Sequence, residues 1–530
     1  MDRAFPATTE SVAPLVDYIS AILEKSRVNP KLSYEYRLVV EEIVTKLIDS
    51  ATPNAEIHIE AFRHLGGFNI RLTCPGKAVV LAQEDELDLG GKIIEGFSDY
   101  LRQSYSAGVN RVTFASSTTE SNHFLLMTAL SIAASLIAAL ALQILCTSRQ
   151  RTWLDESIVY PVVGLFTNCM QTLAAPVAFF SLAAFLVTLR QSLSNDLRLL
   201  NISVRNFLVS LIALGIGIGI WQIYQGCGIA LLPPISKAGA DNFMGRTVVD
   251  FLNQTVSDNI IDPFRQANPI PMLVIGVLMG IAAGSLFGSE GEGARHGLSS
   301  VSGLFCKMLD VLYGTIPFFL FFALLRGWMQ TGFSYYLMLL RNLLLFLPPI
   351  FLLLLVYIVQ MLISGVNPLR FFREYKEVLW ENLKIGSNIH ALPYNTRMIL
   401  RKTKIPRDIL EAGLRLGVLM NMDGNCIMVS TEIMGMILAA GITLTVPRLL
   451  MLSLVSLLLS VGAPNQPGSF LLSTIVLMSL VGISGNLYAD ILVVEALYGK
   501  VYSFLNAVGD IVTMVIESER IQRKTAPQKV

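Results

Sequence analysis

The chain reads as an α-helical membrane protein of eight transmembrane helices and two re-entrant hairpins, with a small soluble α/β domain in front. Three observations carry this reading. The chain is 53% hydrophobic over 530 residues, with mean hydropathy +0.58, too apolar for an ordinary soluble protein. Apolar runs at 124–146, 159–189, 207–232, 272–283, 343–363 and 436–459 meet or approach the ~20 residues that span a bilayer. Charge also divides the chain. Residues 1–122 carry 12 Lys/Arg against 17 Asp/Glu, and the remainder carries 28 against 22, so an acidic soluble part precedes a basic membrane part.

In the first 115 residues, 12–25 and 32–51 have helical periodicity, 55–62 and 68–73 alternate as strands, 92–105 reads as a helix and 110–115 as a strand. A polar linker follows at 116–122. Spans are then expected at 123–146, 157–190, 204–232, 269–288, 300–331 and 335–365, with the polar stretch 233–268 outside the bilayer or at its surface. Lys/Arg clusters at 370–376, 401–407 and 520–529 put those regions, both termini and the basic tail 519–530 in the cytoplasm of a plasma (bacterial inner) membrane protein, although Arg149 and Arg151 point the other way.

Two later segments are apolar but broken at their centres. The first, 379–400, breaks at Gly386-Ser387-Asn388-Ile389-His390-Ala391-Leu392-Pro393, and the second, 449–480, breaks at 460–469. The second tip holds two Pro, two Gly and two amides, which cannot continue a lipid-facing helix because freed backbone groups would lack partners. A pair of interrupted segments points to a midplane transport site between re-entrant hairpins.

Between them stands Asn421-Met422-Asp423-Gly424-Asn425, with a carboxylate where a membrane helix should have none. An ionised Asp near mid-bilayer costs at least a few kcal/mol, so it faces a partner, a cavity or an ion. Gly417 lies one turn earlier, and a broken helix exposes carbonyls that can hold a cation. On the final helix, Glu495, Gly499, Tyr502, Asn506 and Asp510 share one face. Glu495 and Lys500 read most simply as a helix-to-helix ion pair. Six cysteines without paired spacing argue against disulfides or zinc, no signal peptide is visible, and neither a catalytic triad nor a phosphate loop appears. The chain is therefore read as neither an enzyme nor a nucleic-acid binder.

From His123 to about 518 the chain resembles the dicarboxylate/amino acid:cation symporter family, the glutamate-transporter fold. The resemblance rests on three motifs in order: Asn421-Met422-Asp423-Gly424, the tip Ser460-Val461-Gly462-Ala463-Pro464-Asn465-Gln466-Pro467-Gly468-Ser469, and Asn506-Ala507-Val508-Gly509-Asp510. It implies a homotrimer in lipid that couples sodium or another monovalent cation to uptake of a small organic solute by alternating access. Gly417, Asn421 and Asn506 would lend carbonyls and Asp510 its carboxylate at one cation site. Asp423 and the Asn421 side chain would serve a second, and carbonyls around Ser460 a third.

On the solute side the chain departs from the family. The Arg that pairs a side-chain carboxylate falls on Tyr502, the Asp that holds an amino group falls on Gly499, and the Thr after the first motif is Asn425. Tyr cannot replace the bidentate grip of Arg. Acidic amino acids are therefore doubtful solutes. A neutral or mono-anionic compound is expected, held by Asn388, His390, Asn425, Gly462, Ala463, Pro464, Gly499 and Tyr502. The rival reading is a transport-fold sensor that signals through its soluble domain.

That soluble domain resembles the histidine-kinase-type ATP-binding fold of anti-sigma factors more weakly. Glu42 fits its acid, but Lys46 stands where the Mg²⁺-holding Asn belongs, and Cys74-Pro75-Gly76 replaces its Asp-x-Gly turn. ATP is not expected as a cofactor. Glu42 and Lys46 read as an exposed i,i+4 pair, and the domain as a degenerate module that docks a protein partner.

Overall fold

In the computed structural model the chain divides into two units, Met1–Leu126 and Met127–Val530. The structure describes residues 2–25, 30–53, 55–64, 67–79, 101–106, 108–115, 118–193, 197–228, 257–265, 269–286, 288–442, 444–462, 468–481, 483 and 488–525.

The first unit holds β1 (Asp2–Pro6), α1 (Val12–Lys25), α2 (Pro30–Ser50), β2 (Glu56–His64), β3 (Gly67–Pro75), β4 (Leu101–Ser106) and β5 (Val109–Ala115). The strands form one antiparallel sheet in the order β1-β2-β3-β5-β4. Alternation in the strands turns Ile57, Ile59, Ile70, Leu72, Val112 and Phe114 to one face, where they pack on Leu15, Ile19, Val40, Ile43, Val44 and Leu47 of the two helices. The helix expected over 92–105 is corrected at its end, since 101–105 belongs to β4, and 92–100 lies outside the described residues. The tight turn at Gly108 (φ 76) returns β4 onto β5, so cross-strand pairing overrides the local helical pattern. β1 went unread because five residues carry too short a pattern.

α3 (Thr118–Leu145) starts inside the expected linker and spans the division at Leu126. α4 (Ser148–Leu154) runs through a π-turn (Asp155–Val159) into α5 (Tyr160–Leu193), and α6 (Leu197–Gly226) follows. After a single turn at Asp262–Arg265 come α7 (Pro269–Ser285), α8 (Gly288–Gly314), α9 (Ile316–Thr331), α10 (Ser334–Leu345) and α11 (Leu347–Ile363). Most of the stretch 233–268 lies outside the described residues. By length and composition, five helical stretches among the described residues can cross a membrane, or six if the α8–α9 pair, bent by 54°, is one span.

Both broken segments form helical pairs. α12 (Pro368–Ile385) and α13 (Asn388–Lys402) are separated only by Gly386, left-handed at φ 64, and Ser387. The break is shorter than expected, because 388–393 is already helical. The two arms are tied by reciprocal buried amides: Asn382 donates to Asn395 at 2.6 Å and Asn395 to Asn382 at 2.9 Å. The second pair is α16 (Val446–Gly462) and α17 (Ser469–Val481), whose tip 463–467 lies outside the described residues. Between the pairs run α14 (Arg407–Met420) and α15 (Asp423–Ala439), and α18 (Tyr488–Thr525) closes the chain, helical into the expected basic tail.

α15 is the centre of the unit: every residue from Asp423 to Ile437 is buried. It packs on α6, where Gly217 lets Ser430 approach and the Trp221 indole N–H bonds the Thr431 carbonyl. Small residues let helices approach closely in lipid, where dispersion rather than water expulsion drives packing.

Candidate cation and solute site

The site begins at the break between α14 and α15. Asn421 leaves helical geometry (φ −84, ψ 90), its N–H still bonded to the Gly417 carbonyl at 2.7 Å, and the helix restarts at Asp423. The groups freed by the break find side chains. Gly424 N–H donates to Asn506 Oδ1 at 2.7 Å, and Met422 N–H to Ser210 Oγ at 3.2 Å. Gly424 also lets the Tyr502 backbone close in: a Cβ there would lie 2.8 Å from the Tyr502 carbonyl carbon.

Two carboxylates sit on this frame. Asp423 Oδ1 accepts from Ser210 Oγ at 2.7 Å, and Oδ2 from Tyr357 OH at 2.8 Å; the same hydroxyl is 3.0 Å from the Leu505 carbonyl. Asp510 Oδ1 accepts from Asn421 Nδ2 at 2.9 Å, and Oδ2 from Asn388 Nδ2 at 2.6 Å. Asn421 Nδ2 also reaches the Asn506 carbonyl at 2.8 Å. Two glycines make the fit possible. A Cβ on Gly417 would lie 2.6 Å from Asp510 Cγ, and one on Gly509 would lie 2.9 Å from Asp423 Oδ2 while touching the Asn421 amide. Thus Gly417, Asn421, Asp423, Asn506 and Asp510 converge. Both acids are 1–2% exposed, and among the described residues neither makes an ion pair, only hydrogen bonds from neutral donors. Buried negative charge matched by neutral donors and surrounded by carbonyls and amides suits a small hard cation.

A family model described as the sodium:dicarboxylate symporter family matches residues 124–519. The chain belongs to that family. A C4-dicarboxylate transport protein of Paraburkholderia phymatum is 26% identical over 282 residues, 52% of this chain and 64% of the relative. One from Rhizobium etli is 24% identical over 371 residues, 67% of this chain and 82% of the relative. Excitatory amino acid transporter 3 of Mus musculus is 25% identical over 144 residues, 27% of this chain and 28% of the relative. The chain thus spans under two thirds of the length of two of these relatives. The printed names of the family and of these relatives are those of symporters and transporters.

Two partners of Asp423 escaped the sequence reading. Ser210 and Tyr357 lie on α6 and α11, and the available signal was a hydroxyl with apolar neighbours on either side in each helix. Glu495 is corrected. It does not pair with Lys500; its carboxylate accepts from Gly468 N–H at 2.9 Å, Leu471 N–H at 3.1 Å and Tyr502 OH at 3.1 Å. It caps the first turn of α17, where amide N–H groups have no helical acceptor. Lys500 Nζ lies instead 3.4 Å from the Lys384 carbonyl.

On the solute side, Asn425 is 1% exposed, and neither end of its amide has a hydrogen-bond partner among the described residues. Tyr502 is buried one helix away, bonded to Glu495. Gly499 makes room there, since a Cβ on it would lie 3.0 Å from both Glu495 Oε1 and Tyr313 OH. Asn388 bonds Asp510 through its Nδ2. Ser460 is fully buried, and Gly462 packs on Leu182 of α5. Ala463, Pro464 and the His390 side chain lie outside the described residues.

In the first unit, Cys74 is fully buried on the inner face of the sheet, and burial raises its thiol pKa. Gly76 is pressed against Ser50, and Asn110 holds the following loop through Val79 N–H (3.0 Å) and the Lys77 carbonyl (2.7 Å).

Proposed function

We propose that this protein is a sodium-coupled symporter of a small organic solute that is neutral or carries one negative charge. In this reading eight spans, with α14–α15 as the broken seventh and α18 as the eighth, enclose two re-entrant hairpins, α12–α13 and α16–α17. The protein works as a homotrimer in the plasma membrane, by alternating access, with its termini in the cytoplasm. The observation that carries it is the pair of buried carboxylates, Asp423 and Asp510, each met by two neutral donors. Asp510 with the Gly417, Asn421 and Asn506 carbonyls holds one cation, Asp423 with the Asn421 side chain a second, and the tip around Ser460 a third. Each cation lowers the cost of holding charge in the membrane, so the hairpins close over a loaded site.

Asn425 and Tyr502 line the solute pocket. Tyr502 brings a hydroxyl where bidentate recognition of a second carboxylate would need a guanidinium, and Glu495 behind it disfavours an anion there. The test is uptake into proteoliposomes under an inward sodium gradient, screened over neutral amino acids, mono-carboxylates and dicarboxylates. Sodium-driven entry of one of the first two classes is expected, and preferred entry of a dicarboxylate would refute the solute assignment.

A second reading is favoured by the separate unit Met1–Leu126, which a transporter does not need. Here the fold binds solute and the first unit reports occupancy to a protein partner. Cys74 and Lys46 replace the acid and amide that nucleotide binding requires, so the unit acts by docking and not by ATP. Solute binding without flux would select this reading.

A further inference from the structure

Asn388 is the first residue of α13, directly after the two-residue tip of the first hairpin. It is 1% exposed. Its Nδ2 is 2.6 Å from Asp510 Oδ2, while its Oδ1 has no hydrogen-bond partner among the described residues. Asn421 stands in the same relation to the other carboxylate oxygen: Nδ2 is 2.9 Å from Oδ1, and its own Oδ1 is also unpartnered. A buried amide oxygen without a hydrogen bond loses the partner it had in water, and here two of them flank one carboxylate from two different elements.

We propose that Asn388 supplies its side-chain oxygen to the cation held by Asp510, so that the first hairpin is part of the cation site. This rests on the reading of Asp510 as a cation ligand. The chemistry is simple. A primary amide presents two donors on one side and an acceptor on the other, and a half-turn about Cβ–Cγ exchanges them. With N–H groups toward Asp510, the two amides answer its charge; with a cation against the carboxylate, the Asn388 amide turns its oxygen inward. The ligand set then gathers oxygens from the Asp510 and Asn388 side chains and from the Gly417, Asn421 and Asn506 carbonyls, all hard donors suited to an alkali ion.

The hairpin is built to feel that exchange. Its arms are locked by the Asn382–Asn395 amide pair, and Gly386 at the tip is seated on Lys500 of α18, where a Cβ would lie 3.0 Å from Cδ. The tip therefore rests on α18 at two points, the Lys500 stem and Asp510. Losing the cation alters the second point, which gives the first hairpin a cation-dependent anchor of its own.

The test uses the purified full-length protein without solute, following its thermal unfolding midpoint across sodium concentrations, with choline balancing ionic strength. A ligand for the native state raises that midpoint. Asn388→Leu removes the oxygen and is expected to raise the half-maximal sodium concentration about tenfold, the value of one hydrogen bond to a charged group. Asn388→Asp keeps an oxygen, adds charge and is expected to shift it the opposite way. A merely structural role would not give opposite signs. If both variants keep the wild-type sodium response while Asp510→Asn loses it, the proposal fails and the reading of Asp510 stands. If Asp510→Asn also keeps it, the reading itself fails. If Asn388→Leu does not fold, an unchanged response in Asn388→Asp is enough to overturn the proposal.

Discussion

Glu495 accepts the backbone N–H of Gly468 at 2.9 Å, so a carboxylate on the last helix holds the first turn of the second hairpin's return arm. Leu471 N–H and Tyr502 OH converge on the same group. Gly468 has φ 95, which only glycine adopts without strain, and this geometry turns its N–H onto the carboxylate. Glu495→Ala leaves two buried N–H groups without an acceptor and should cost about 2 kcal/mol or more of stability. Glu495→Gln keeps one acceptor oxygen and should cost less. Thermal unfolding measures both. With the six native cysteines removed, Ser469→Cys should label faster with a thiol reagent in Glu495→Ala than in its parent, and equal labelling would argue against the latch.

Gly509 lies where the two carboxylate clusters meet. A methyl there would come within 2.9 Å of Asp423 Oδ2 and 3.0 Å of Tyr357 OH, and would press on the Asn421 amide. Overpacking of this kind costs about 1–3 kcal/mol, and Gly509→Ala is expected to abolish sodium-dependent thermal stabilisation. Gly215 on α6 is the control, since nothing lies within 4 Å of the Cβ it lacks. Gly215→Ala should keep the sodium response.

Much of this arrangement could be read from residues. Asp423 and Asp510 announced themselves because an apolar span tolerates a carboxylate only where something answers its charge. The breaks between α12 and α13 and between α16 and α17 were legible because Gly386 and a Pro/Gly-rich stretch interrupt apolar runs. What answered the charge was not legible. Ser210 and Tyr357 are far from Asp423 in the chain, and a hydroxyl in an aliphatic helix has many innocent explanations, commonly a bond to its own backbone. Glu495 failed for a related reason. Lys500 is near in sequence and complementary in charge, whereas Gly468 and Leu471 reach Glu495 only through tertiary folding. The strand at 101–106 was hidden because its partner β5, not its own pattern, decides its conformation.

Tyr357 and Ser210 hold opposite oxygens of Asp423, and this makes them separable. Tyr357→Phe keeps the ring and removes one donor to a charged acceptor, worth about 1.5–3 kcal/mol in water-soluble proteins and about 0.6 on average between membrane helices. Ser210→Ala also removes the acceptor of Met422 N–H, so it should be the more damaging of the two. Each is expected to weaken sodium-dependent stabilisation. In Asp423→Asn the Tyr357→Phe effect should shrink, because the charge it served is gone. Full additivity in this double-mutant cycle would mean that Tyr357 does not act through Asp423.

Tyr502 and Gly499 together shape the Glu495 pocket, and they give the sharpest test of solute choice. A guanidinium at 502 can meet Glu495 with one edge and offer the other to a solute carboxylate, since Arg carries five donors in a planar fork. Tyr502→Arg is therefore expected to gain sodium-dependent uptake of a four-carbon dicarboxylate. Gly499→Asp alone should lose activity, because its Cβ would already lie 3.0 Å from Glu495 Oε1 and a second carboxylate would face the first without a cation. Combining it with Tyr502→Arg supplies that cation and should restore uptake. Dicarboxylate uptake by the unaltered protein that equals uptake by Tyr502→Arg would show that Tyr502 does not set the preference.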